Sequence, residues 1–128
     1  MNEIERKPWT LDQVRALCDD LEPVVSRCGF LLTVYGSTLR KGRGRDLDLI
    51  LCQKRIGATP AYVLRDVREH LKAEQIGEVE ESLFAEKCVL LLMPDGHLLD
   101  IQVRMSPIRD AYDLYMSGKT ALQTLESR

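Results

Sequence analysis

No run of apolar residues in this 128-residue chain approaches the roughly eighteen needed to cross a membrane. Nor does a basic-then-apolar leader open it, so the sequence predicts a cytosolic, cytoplasmic protein. Charge of one sign is not in excess either: 18 Lys and Arg stand against 20 Asp and Glu, a formal net charge of -2. That balance excludes a global pull toward nucleic acid or an anionic membrane and leaves only local patches to supply one. Cysteine is sparse and scattered. Cys18, Cys28, Cys52 and Cys88 form no Cys-x-x-Cys pair and have no neighbouring histidine pair, which argues against zinc and for small core hydrophobes in a reducing compartment. Internal repeats, low-complexity tracts and interdomain linkers are missing too. Ser117-Gly118-Lys119-Thr120 has the letters that end a P-loop, but Asp113 stands where glycine is required and no strand precedes it.

What is there is ordinary globular material, 45% hydrophobic and 30% charged, and the length predicts a single domain over 1–128. Thr10 to Gln13 reads as a capping box, with Trp9 and Val14 placed as a hydrophobic staple. The helix it opens carries Leu11, Val14, Leu17, Leu21, Val24, Val25 and Cys28 on one stripe, with a kink or restart expected near Glu22 because of Pro23 and a cap at Gly29. Phe30 to Tyr35 and Leu47 to Cys52 read as strands. Thr59-Pro60 opens a helix with Val63, Leu64, Val67 and Leu71 on its buried face, ending at Gly77. Strands are then expected at Val79 to Phe84, Cys88 to Met93 and His97 to Val103, the last two joined as a hairpin through Pro94-Asp95-Gly96. A final helix over about 107–118, opened by Pro107, has Ile108, Ala111, Leu114 and Tyr115 as its buried side.

The stretch from Tyr35 to Ile50 organises the rest. In a strand, alternate side chains share a face, so Asp46 and Asp48 stand together while Leu47, Leu49 and Leu51 turn the other way. Two such carboxylates about 5 Å apart, at an effective dielectric of about 20, repel by roughly 3 kcal/mol. A hard divalent cation removes that penalty, and Mg²⁺ favours one or two carboxylates plus substrate phosphates. On the later strand Leu98, Asp100 and Gln102 share one face and Leu99, Ile101 and Val103 the other. Both acidic strands therefore fit a sheet with helices packed behind and an open front. The plainer alternatives are a solvated strand start for Asp46 and Asp48, an edge carboxylate for Asp100, a strand-ending turn at Gly36 and Ser37, and a solvated loop from Arg40 to Arg45. Lys87 and Arg104 read as solubilising edge charges, His70 and His97 as structural or exposed, and Tyr112 and Tyr115 as core.

Gly36-Ser37, an eight-residue spacer, Asp46-Leu47-Asp48-Leu49 and a later Asp100 between Leu99 and Ile101 together resemble the signature of the DNA polymerase beta-type nucleotidyltransferase superfamily. The resemblance spans about 30–104 and is carried by three weak motifs in the right order. It implies an α+β fold, a mixed or antiparallel sheet with helices on one face. It also implies transfer of an NMP from a nucleoside triphosphate, ATP foremost, to a hydroxyl on a partner protein or RNA, with release of pyrophosphate. Two Mg²⁺ ions would be held by Asp46, Asp48 and Asp100, with Asp100 on the ion that activates the acceptor. Gly36 and Ser37 would cradle the β- and γ-phosphates, and Arg40 and Lys41 would reach the triphosphate. The chain is similar to minimal, stand-alone nucleotidyltransferases that act on a partner protein or with a helical partner subunit, some of them antitoxins, although Arg45 stands where those often carry serine. A non-catalytic nucleotide- or partner-binding module on the same fold is the alternative, and small-molecule nucleotidylation a third.

Overall fold

The computed structural model describes residues 7–35, 43–44, 46–79, 87–105 and 115–116. A two-residue strand, β1 (Trp9–Thr10), leads into α1 (Leu11–Arg27), followed by β2 (Phe30–Tyr35), β3 (Arg43–Gly44), β4 (Asp46–Gln53), α2 (Pro60–Leu71), β5 (Glu74–Val79), β6 (Lys87–Leu92) and β7 (Leu98–Arg104). Five strands form one mixed sheet in the order β2-β4-β7-β6-β5, and β1 pairs with β3 in a separate small ladder. Among the described residues β4 and β7 are the one parallel pair; the other pairs are antiparallel.

The helices start where local chemistry says they should. Thr10 Oγ1 accepts from the Gln13 amide at 3.2 Å and the Gln13 side chain accepts from the Thr10 amide at 3.0 Å, so two amides that the first turn cannot satisfy are satisfied reciprocally. Gly29, at φ +88, closes the other end, in the left-handed region that glycine reaches without steric cost. In between, α1 runs unbroken through Pro23, so the expected restart near Glu22 does not occur. Proline removes one amide from the ladder, yet Leu21, Val24 and Val25 around it are all buried in the core, and that packing holds the turns on either side in one helix.

A second expectation is corrected at the end of α2. The helix stops at Leu71, capped by Lys72 in the left-handed conformation at φ 54; Gly77 lies inside β5, next to a bulge between Gln75 and Gly77. A non-glycine residue took the capping role, so the glycine signal pointed to the wrong place. A strand accordingly occupies 74–79; of the strand expected over Val79 to Phe84, residues 80–84 lie outside the described residues. Of the expected final helix only Tyr115 and Met116 are described, both helical; Tyr115 is half-buried and its hydroxyl donates to Glu22 Oε1.

Both helices lie on one side of the sheet. Leu47, Leu49 and Leu51 from β4 and Leu99, Ile101 and Val103 from β7 pack with Val14, Leu17 and Leu21 of α1 and Val63, Val67 and Leu71 of α2 in the principal core. The opposite face of the same strands is thereby left to carry polar chemistry.

Candidate functional site

The position of Asp100 is set by the turn that precedes it. Gly96 donates to Met93 O at 2.9 Å and Met93 donates to His97 O at 2.8 Å, with Gly96 at φ +94. This is the three-residue hairpin loop whose last member must be left-handed. It locks Leu92 opposite Leu98 and Leu90 opposite Asp100, so the parity of β7 follows from Pro94-Asp95-Gly96.

On its other side β7 runs parallel to β4 with Asp48 directly in register with Asp100, Leu47 with Leu99 and Leu49 with Ile101. Asp48 and Asp100 therefore stand side by side on the face away from the helices, on strands about 4.8 Å apart, and both are half-buried. Asp46, paired with Leu98, is a backbone position of the same parity on β4. Tyr35 pairs with Asp48 from the β2 side and ends that strand, with Gly36 and Ser37 next in sequence. Gly36, Ser37, Arg40 and Lys41 themselves lie outside the described residues.

Like charges directly opposite on neighbouring strands are unfavourable, which is the donor arrangement a hard cation relieves. Among the described residues no three His, Cys, Asp or Glu side chains gather as a metal-binding group. The described pair, Asp48 and Asp100, suits an ion such as Mg²⁺ that takes one or two carboxylates and keeps waters or phosphates in its remaining positions.

Farther along, the same face turns apolar. Ile50 and Cys52 are buried and pack with Leu31. Burial pushes the Cys52 thiol above its ordinary range, against the opposing influence of Arg104, its partner in the β4–β7 register. Arg104 is thus half-buried on the front of the sheet and not a solubilising edge charge.

His97, immediately before β7, proves structural and buried. Its Nδ1 lies 2.8 Å from Asp95 Oδ2, its Nε2 is 3.2 Å from the Pro8 carbonyl, and its ring lies 4.4 Å from that of Trp9. Asp95 is a neighbour in the turn, whereas Pro8 and Trp9 come from the other end of the chain, and nothing in the sequence near His97 signals them. Burial pushes the Asp95 carboxyl up, but the His97 amide and ring, with Lys7 beyond them, outweigh it and hold that carboxyl below its ordinary range. A carboxylate so lowered adds stability above its unfolded value and loses it as pH falls through the folded one. Asp95→Asn is therefore expected to lower the melting temperature at neutral pH, with the gap to the parent closing below about pH 4. The gap should be small, since the carboxylate is 57% exposed and partly screened; a gap equally wide at acid and neutral pH would refute it.

No family model and no curated protein matches the chain. Solved structures do. Terminal uridylyl transferase 4 from Trypanosoma brucei, with bound GTP, superposes at a TM-score of 0.56 with 18% identity over 84% of this chain. The fold is that of the polymerase beta-type nucleotidyltransferases. Cid1, described for its RNA terminal uridylyl transferase activity, gives 0.53 with 16% identity over 91% of the chain, and a cytoplasmic RNA terminal U-transferase gives 0.51 with 13% identity over 91%. The chain spans 36%, 39% and 34% of Cid1, transferase 4 and the cytoplasmic enzyme respectively, so what is shared is the nucleotidyltransferase fold over about a third of each neighbour. Among the described residues no helix is long and apolar enough to cross a membrane.

Proposed function

We propose that this protein is a Mg²⁺-dependent nucleotidyltransferase, moving an NMP from a nucleoside triphosphate, ATP foremost, to a hydroxyl on a partner protein or RNA. The observation that supports it is the register of Asp48 with Asp100 on the face the helices leave open. Asp46, Asp48 and Asp100 hold the metal; Gly36 and Ser37 take the β- and γ-phosphates, with Arg40 and Lys41 on the remaining charge. Mg²⁺, when bound, supplies Lewis acidity and neutralises charge on the phosphates. Asp100 accepts the proton of the acceptor hydroxyl, whose oxygen bonds to the α-phosphorus as the bond to the bridging oxygen breaks and pyrophosphate departs. Such chemistry needs positioning and charge neutralisation more than covalent help, which a small domain can provide.

A GTP-bound neighbour supports a triphosphate substrate, and neighbours named for RNA terminal transfer support RNA as one acceptor class. On this reading a further domain or a helical partner subunit holds the acceptor. The test incubates the protein with each of the four α-labelled triphosphates, Mg²⁺ and cell extract. Label on protein or RNA is expected, and its loss in Asp48→Asn. Retention of nucleotide with no label on any acceptor would replace the transferase by a non-catalytic binding module, and label on a small product would replace the macromolecular acceptor.

A further inference from the structure

The residues before α1 do more than lead into a helix. Lys7 lies over Gly96, where an added Cβ would meet its Cε at 3.2 Å. The next carbonyl, of Pro8, faces His97 Nε2 at 3.2 Å; because a carbonyl only accepts, that nitrogen carries the hydrogen. Trp9, 3% exposed, places its ring against His97 and donates from Nε1 to the Leu98 carbonyl at 2.9 Å. Three consecutive residues thus engage Gly96, His97 and Leu98 in order. The same segment then pairs with β3, Trp9 opposite Gly44 and Thr10 opposite Arg43.

Both anchor points converge on one residue. Leu98 is the register partner of Asp46, and Gly44 stands two positions before Asp46. A ladder of two residues per strand does not hold itself together in water; it needs the buried indole and the imidazole beneath it. We propose that residues 7–10 form a strap that fixes where the chain enters β4, and that Trp9 and His97 are positioning residues for Asp46. The proposal rests on the nucleotidyltransferase reading, in which Asp46 is a metal ligand, and it adds two residues distant in sequence from every motif that suggested that reading.

Trp9 is the only tryptophan in the chain, so its emission reports on the strap alone. The intact protein is titrated with ATP at fixed Mg²⁺, following Trp9 emission in one series and retention of labelled ATP in another. Emission is expected to change and to saturate at the ATP concentration that saturates retention, with both responses lost in Asp48→Asn. His97→Ala should weaken retention by about tenfold or more, because small misplacements of reacting groups are costly. His97→Gln, whose amide can still donate to the Pro8 carbonyl, should recover most of that loss. Retention with unmoved emission overturns the strap and leaves the transferase reading standing. So does a His97→Ala protein that is folded by circular dichroism and binds like its parent. Failure to retain any triphosphate overturns that reading, and the strap with it.

Discussion

Asp100→Asn is expected to reduce nucleotidyl transfer by roughly 10²–10³-fold, the range seen when one preorganised electrostatic group is removed from a transition state, while the protein melts no lower than its parent. Loss of activity and retained stability belong together here. Asp100 is half-buried beside Asp48, and an amide of the same shape keeps hydrogen-bonding capacity while removing one of two neighbouring negative charges. Mg²⁺ should sharpen the contrast. A ligand that binds only the folded state stabilises it by about 2.7 kcal/mol at a hundred times its dissociation constant, so added Mg²⁺ should raise the melting temperature of the parent and do so much less in Asp100→Asn or Asp48→Asn. The proposed site would be abandoned if Asp100→Asn transferred label at the parental rate, or if the Mg²⁺ response survived both substitutions.

Leu49→Ala, one residue along β4 from Asp48, should do the reverse. Leu49 is fully buried, pairs with Val34 and Ile101 and faces the helices. Truncating a core leucine costs about 2–5 kcal/mol in lost transfer energy and residual cavity, which for a chain of this length lowers the melting point by on the order of 10 °C. At a temperature where the variant remains folded, its transfer activity per folded molecule should stay close to the parent's. Adjacent positions with opposite phenotypes are what a two-faced sheet requires. A Leu49→Ala protein that melted like its parent would mean that the helices do not depend on this face.

Features governed by neighbours in sequence were legible before any coordinates. Thr10 and Gln13 announce the start of α1, Pro94-Asp95-Gly96 announces the β6–β7 hairpin, and alternation around Asp48 and Asp100 separates a polar face from an apolar one. Each depends on residues within a few positions of one another. Local signals failed where a residue accepted a conformation it does not favour, as Lys72 does at φ 54, or where packing overrode a breaker, as at Pro23. Gly36, Ser37, Arg40 and Lys41 stay proposals drawn from the motif alone.

By itself the amino-acid order determined that two strands each offer an aspartate on the side opposite their branched aliphatics, because side-chain period in an extended chain is a property of the backbone. Which strand lies beside which was decided only in three dimensions. The parallel contact that puts Asp48 next to Asp100 and the docking of Trp9 on His97 and Leu98 join segments with no local relation. Those adjacencies come from burying one continuous apolar face against two helices, a free energy that belongs to the whole chain and to no motif within it.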